Sequence, residues 1–221
     1  MTVKVEMKKS PMEKNNEQAQ RNREFFSEKG IFVLNLMSSP GSGKTTLLEK
    51  LSEVMDADIH MGIIEGDLAT ERDADRIRAK GIQCVQINTN GGCHMDAHMI
   101  YKVLEGFDLD KLNLLIIENV GNLVCPSSWD LGEHKRAVVL SVTEGADKVA
   151  KYPTMFRKAD AVIVNKIDLI PYINFNMEIV KEDLFAIQPQ IEFFQVSATT
   201  GENMEDWCQW LKVNMEAYRQ A

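Results

Sequence analysis

Ile31-Phe32-Val33-Leu34-Asn35-Leu36-Met37-Ser38-Ser39-Pro40-Gly41-Ser42-Gly43-Lys44-Thr45-Thr46 decides how this chain folds. An apolar run of strand length enters a glycine-rich turn, and a helical pattern follows over residues 44–55. Strand, glycine turn and helix form the context that a phosphate-binding loop requires. The glycines let backbone N–H groups turn inward around phosphate oxygens, and the helix N-terminus adds its partial positive charge. In such a loop Gly41, Ser42, Gly43, Lys44, Thr45 and Thr46 cradle the nucleotide phosphates. Lys44 reaches the β- and γ-phosphates, and the Thr45 hydroxyl is placed for Mg²⁺. One position departs from the usual spacing: Ser38 stands where the first glycine is expected.

Outward from this loop, apolar runs alternate with amphipathic segments. Strands are expected at 31–37, 59–64, 82–88, 113–118, 137–142, 161–165 and 191–196. Most are continuous Ile/Val/Leu runs, as parallel strands buried on both faces should be. Helices are expected near 44–55, 70–80, 95–105, 146–158, 177–187 and 202–218. The alternation predicts right-handed crossovers and an α/β fold, a doubly wound, mostly parallel sheet of about seven strands flanked by helices. Residues 1–30 read as a polar, helical N-terminal extension ending at a Gly30 cap, and 31–221 as a single nucleotide-binding G domain.

Bulk composition narrows the function classes. The chain has 221 residues, 44% of them hydrophobic, enough for one α/β domain with a full core. A net charge of -8 argues against nucleic acid or an anionic membrane as partner, since both require a basic footprint. The absence of an apolar span or leader predicts a cytoplasmic protein. Four cysteines without a secretion signal read as free thiols or metal ligands.

Two further groups of residues select the nucleotide and its chemistry. Asn165-Lys166-Ile167-Asp168 follows the strand Ala161-Val162-Ile163-Val164. A carboxylate there accepts from guanine N1 and its N2 amino group. Adenine offers no such donors, so it is rejected at a cost of roughly 1–3 kcal/mol. Ser197 and Ala198 end the last strand, where a backbone N–H can meet guanine O6. Asp67, Asp73 and Glu118 lie at or just past strand ends, where ligands bind in open parallel sheets. Asp67 and Glu118, with Thr45, are candidates for Mg²⁺. Lys44, Asp73, Glu118 and Gly121 are the catalytic candidates: Asp73 for the attacking water and Gly121 for the γ-phosphate.

Cys93, His94 and Cys125 form a third constellation. Their softness favours Zn²⁺, Ni²⁺ or Cu(I) over Mg²⁺. Three ligands leave a four-coordinate site incomplete, which implies a site shared across a two-fold dimer axis or completed by water. On spacing alone the same residues also read as two small buried thiols and a polar residue opening a helix. Cys84, within a strand, and Cys208, within a helix, read as core. His98, one helical turn beyond His94, reads as a supporting residue.

Taken together these stretches resemble the hydrogenase nickel-incorporation GTPase family (HypB) of the SIMIBI class. The resemblance rests on Glu65-Gly66-Asp67 with Asp73-Ala74-Asp75-Arg76-Ile77, on Gly92-Cys93-His94-Met95-Asp96-Ala97, and on Glu118-Asn119-Val120-Gly121-Asn122-Leu123-Val124-Cys125-Pro126. The phosphate loop and Asn165-Lys166-Ile167-Asp168 complete it. It implies a slow, Mg²⁺-dependent GTPase turning GTP into GDP. It also implies Ni²⁺ or Zn²⁺ at Cys93, His94 and Cys125 near a homodimer interface. The implied partners are a HypA-type nickel chaperone and the precursor of the [NiFe] hydrogenase large subunit. Residues 1–30 contain neither Cys nor His, so no separate N-terminal metal site is expected. The alternatives are an accessory GTPase for another nickel enzyme such as urease, and a metal storage or sensor protein with a vestigial nucleotide site. The urease-type Cys-Pro-His tripeptide is absent, since Ser127 follows Cys125-Pro126.

Overall fold

The structure is a computed structural model that describes residues 9–67 and 72–220, without the side chains of Asp67 and Arg72. Seven strands form one sheet: β1 (Phe32–Ser38), β2 (Met61–Asp67), β3 (Gln83–Asn88), β4 (Leu114–Glu118), β5 (Lys135–Ser141), β6 (Ala161–Asn165) and β7 (Glu192–Gln195). Their order is β3-β2-β4-β1-β5-β6-β7, and every neighbouring pair is parallel. The helices are α1 (Pro11–Lys29), α2 (Lys44–Val54), α3 (Arg72–Ala79), α4 (Ala97–Val103), α5 (Lys148–Lys151), α6 (Pro153–Arg157), α7 (Met177–Ile187) and α8 (Met204–Gln220).

β1 is buried along its whole length and divides its side chains between two faces. Phe32, Leu34 and Leu36 pack with Leu47, Leu48 and Leu51 of α2, Ile77 of α3 and Trp207 of α8. Ile31 and Val33 face the other way, among Phe26 of α1, Ile100 of α4 and Leu115 of β4. A third cluster covers β5 and β6 with Val149, Met155, Phe156, Val180 and Leu184 of α5 to α7. This two-faced burial is why the strands read as unbroken apolar runs. Removing the wholly buried Trp207 side chain would cost about 3–5 kcal/mol.

The strand register aligns the functional ends. Glu65 of β2 and Leu36 of β1 both pair with Glu118 of β4, so two carboxylates stand side by side next to the loop leaving β1. α1 begins with a capping box between Ser10 and Glu13 and leaves at Gly30, whose φ of 67° suits glycine.

Three expectations are revised. The helix expected over 146–158 is broken into α5 and α6, because Pro153 cannot donate the N–H that would continue it. The strand expected at 59–64 starts at Met61 and runs on through Glu65 and Asp67. The helix expected from residue 95 starts at Ala97 behind an Asp96 cap, so His94 precedes it and His98 is not stacked one turn above. Residues 70 and 71 of the helix expected over 70–80 lie outside the described residues, as do residues 1–8 of the N-terminal stretch. No helix among the described residues is long and apolar enough to cross a membrane.

Candidate functional site

The loop after β1 is held from three sides. Gly43 adopts φ +94°, and a Cβ there would sit 2.7 Å from Asn165 Nδ2, so glycine is required twice over. Asn165 Nδ2 donates to Ser42 O at 3.0 Å, and Lys166 Nζ donates to Gly41 O at 2.7 Å. The tetrapeptide after β6 therefore buttresses the phosphate loop directly. Ser38 Oγ accepts from Lys44 Nζ at 2.7 Å, so the residue replacing the first glycine anchors the loop lysine. That role left no mark in the sequence beyond the departure itself.

Lys44, Thr45 and Glu118 are buried together. Thr45 Oγ1 donates to Glu118 Oε1 at 3.1 Å. Burial pushes the Lys44 amine down from its ordinary range, opposed chiefly by Glu118. Burial likewise pushes the Glu118 carboxyl up, opposed by Lys44. Glu118 Oε2 and Ser42 Oγ are buried with no partner among the described residues. An orphaned carboxylate oxygen beside a hydroxyl fits a hard cation, and a buried amine at the N-terminus of α2 fits phosphate.

Lys44, Thr45 and Glu118 line a cleft of about 480 Å³ together with Pro40, Gly41, Gly43, Thr46, Glu65, Asp73, Arg76, Gly121 and Lys166. Asp73, 44% exposed, is paired with Arg76 at 3.0 Å. Arg76 also donates to Thr46 Oγ1 and Glu49, a link that the sequence did not reveal. Asp67 closes β2, one strand from Glu118, but its carboxylate lies outside the described residues. Gly121 abuts the phosphate loop so closely that a Cβ would lie 3.0 Å from Pro40 Cα.

At the far end, Ser197 Oγ donates to Asp168 Oδ1 at 2.6 Å and fixes one oxygen of that carboxylate. The Ala198 N–H reaches Asn165 Oδ1 at 3.1 Å, and the Ser197 N–H bonds Glu202 O. Any contact from Ala198 to a base is therefore shared with Asn165.

Cys93, His94 and Cys125 converge, with their ligand atoms all within 4.8 Å of one another. Cys93 Sγ lies 3.5 Å from His94 Nδ1. Cys93 also pushes the neighbouring Cys125 thiol up from its ordinary range, and burial pushes the His94 imidazole down. Both effects disfavour ionised thiols and imidazolium, and a bound soft cation would offset the first while needing the second. His98 stands outside the cluster and is exposed. Cys84 and Cys208 are buried in the core, and burial holds the Cys84 thiol up at about 12. Trp129, which the sequence did not single out, stacks on His94 with ring centroids 4.3 Å apart.

A buried polar chain starts at Asn119 in the cleft lining and runs back into the sheet. Asn119 Nδ2 donates to Asn35 Oδ1, Asn35 Nδ2 to Glu133 Oε1, and Arg136 Nε to the same oxygen. The signal was available: Asn35 interrupts an apolar strand, and a buried amide must find partners.

Residues 32–195 match the family described as CobW/HypB/UreG, nucleotide-binding domain. The hydrogenase maturation factor HypB of Escherichia coli (strain K12) is 49% identical over 209 residues, covering 94% of this chain and 72% of that protein. The hydrogenase/urease maturation factor HypB of Helicobacter pylori (strain J99) is 48% identical, covering 90% and 84%. The crystal structure of HypB from Helicobacter pylori in complex with nickel superposes with a TM-score of 0.88 at 45% identity, covering 94% of this chain and 98% of that one. On fold, motifs and likeness, the chain belongs to the HypB hydrogenase maturation factors within the CobW/HypB/UreG family of P-loop nucleotide-binding proteins.

Proposed function

We propose that this protein is a GTP-hydrolysing metallochaperone that binds Ni²⁺ at Cys93, His94 and Cys125 and releases it under control of the nucleotide. The observation that carries the reading is the segment from Glu118 to Cys125. It starts at a buried carboxylate bonded to Thr45, passes Gly121 against Pro40, and ends at a thiol within 4.8 Å of two other soft ligands. One short loop therefore touches both the phosphate end of the cleft and the metal cluster.

In this reading the Lys44 amine and the loop N–H groups donate to the phosphate oxygens, where negative charge builds up in the transition state. Mg²⁺, held by Thr45 and Glu118 with Asp67 as a further carboxylate, would neutralise that charge. Asp73, beside Arg76 in the cleft, orients the attacking water. The Gly121 N–H donates to the γ-phosphate, so its departure frees the loop that carries Cys125. Asp168 selects guanine, its carboxylate held by Ser197, while Ala198 and Asn165 close the base pocket.

The three ligands suit Ni²⁺ or Zn²⁺; the fourth is water or comes from a second copy, and in the latter case the metal gives a homodimer its chemical reason. The relatives are named hydrogenase maturation factors, which supports a role in that maturation; within it, the resemblance points to a HypA-type nickel chaperone and the precursor of the [NiFe] hydrogenase large subunit as partners, in the cytoplasm. The Helicobacter pylori relative is a hydrogenase/urease factor, which favours urease as a second client. Substituting Cys93→Ala should abolish stoichiometric Ni²⁺ binding while GTP hydrolysis continues. Unchanged nickel stoichiometry in that variant would overturn the metal assignment.

A further inference from the structure

The metal ligands come from two loops that follow different strands, and a third element holds those loops together. Cys93-His94 leads into Ala97 at the start of α4, and Cys125 leads into Trp129-Asp130-Leu131-Gly132. Between these two stretches lies α1, outside residues 32–195 that match the family.

Two asparagines of α1 bridge the gap. Asn15 Oδ1 accepts from Ala97 N at 2.9 Å, and its Nδ2 donates to Asp130 O at 2.8 Å. Asn22 Nδ2 donates to Ala97 O at 2.8 Å and to Leu131 O at 3.0 Å. Each carboxamide thus takes one bond from the His94 side and one from the Cys125 side. Both are buried, and Asn22 Oδ1 is satisfied by Gln18 Nε2 at 2.9 Å, so little freedom remains.

Two more contacts lock the second stretch to the helix. Arg23 Nη2 bonds both oxygens of Asp130, at 2.9 and 3.0 Å. Gly132, at φ +92°, comes so close that a Cβ would lie 2.7 Å from Ala19 O. Trp129, fixed by its place in this stretch, then stacks on His94 from across the gap. Buried polar groups on a helix are costly unless fully bonded, so their spending on backbone of two ligand-bearing loops is informative.

We propose that Asn15 and Asn22 are positioning residues for the metal site: they cross-link the two ligand-bearing loops, and a helix outside the nucleotide-binding core sets how well Cys93, His94 and Cys125 converge. The proposal rests on the metal reading of those three ligands. It predicts a metal-specific defect, because neither asparagine touches the nucleotide cleft.

The test uses the full chain as wild type, Asn15→Ala, Asn22→Ala and the milder Asn15→Ser. Ni²⁺ affinity is read from the thiolate-to-nickel absorption band against a competing chelator, and a fluorescent GDP analogue is titrated in parallel. The expected result is a loss of nickel affinity of about tenfold or more in both alanine variants, with GDP affinity unchanged. Should Asn22→Ala fail to fold, Asn15→Ala and Asn15→Ser carry the test from the first turns of the helix, where fewer core contacts are lost. Nickel affinity equal to wild type in a folded Asn15→Ala, or nickel and GDP affinities falling together, would overturn the proposal. Wild-type protein that binds no nickel would instead sink the metal reading itself.

Discussion

The nucleotide cleft and the metal cluster are built in opposite ways. The cleft is supported by its own motifs: Asn165 and Lys166 brace the loop that they serve, and Ser38 anchors Lys44. Its key side chains are buried and charged. The cluster of Cys93, His94 and Cys125 is made of exposed or half-buried side chains from two loops, with Trp129 stacked on His94 and α1 bonded to both stretches that carry them. A cradle of backbone donors needs only the right turn. Converging side chains need a scaffold, and here much of that scaffold lies elsewhere in the chain.

If the two regions are separable in this way, substitutions should divide cleanly between them. The largest expected effect is on the nucleotide side. Lys44→Ala should lower GTP hydrolysis by about 10²- to 10³-fold in a steady-state assay, with nickel stoichiometry retained. Loss of nickel binding as well would show one site rather than two. Cys125→Ala should weaken Ni²⁺ by about a hundredfold in a chelator competition, since it removes a ligand outright, and should leave GDP binding intact. Asp168→Asn should weaken GTP by about tenfold to a hundredfold while favouring xanthosine triphosphate. Equal weakening of both nucleotides would refute the guanine-reading role.

The smallest effect concerns His134, the residue just before β5. His134 accepts from Val33 N at 2.9 Å, stacks on Phe32, meets the Tyr218 ring at a tilt, and is pushed down by burial to about 4. The unfolded imidazole protonates near 6.5, so between about 6.5 and 4 the unfolded chain binds the extra proton. His134 therefore contributes stability that is complete above about pH 6.5 and is lost as pH falls toward 4. A denaturation midpoint that drops across this window, and drops less in His134→Asn, is expected. An unchanged pH slope in that variant would assign the loss to other groups.

The same contrast explains what was legible in the sequence. All seven strands and the phosphate loop could be read from Ile31 to Thr46 and its echoes, because parallel strands buried on both faces leave continuous apolar runs. The convergence of Cys93, His94 and Cys125 could not be derived from spacing, because loops after different strands meet only through the sheet order that sets β2 between β3 and β4. There the family resemblance supplied what periodicity could not. Asn15 and Asn22 were invisible for a related reason: on a polar helix a buried amide looks like a solvated one. The break at Pro153 is legible in the sequence, since proline has no N–H to carry a helix across that position.

The most direct test of the shared loop is Ni²⁺ titration of the wild-type protein with GDP and then with a non-hydrolysable GTP analogue, following oligomer mass throughout. If Gly121 and Cys125 move as one segment, nickel affinity and oligomer mass differ between the two nucleotides. Identical nickel affinity and identical mass in both would contradict the coupling.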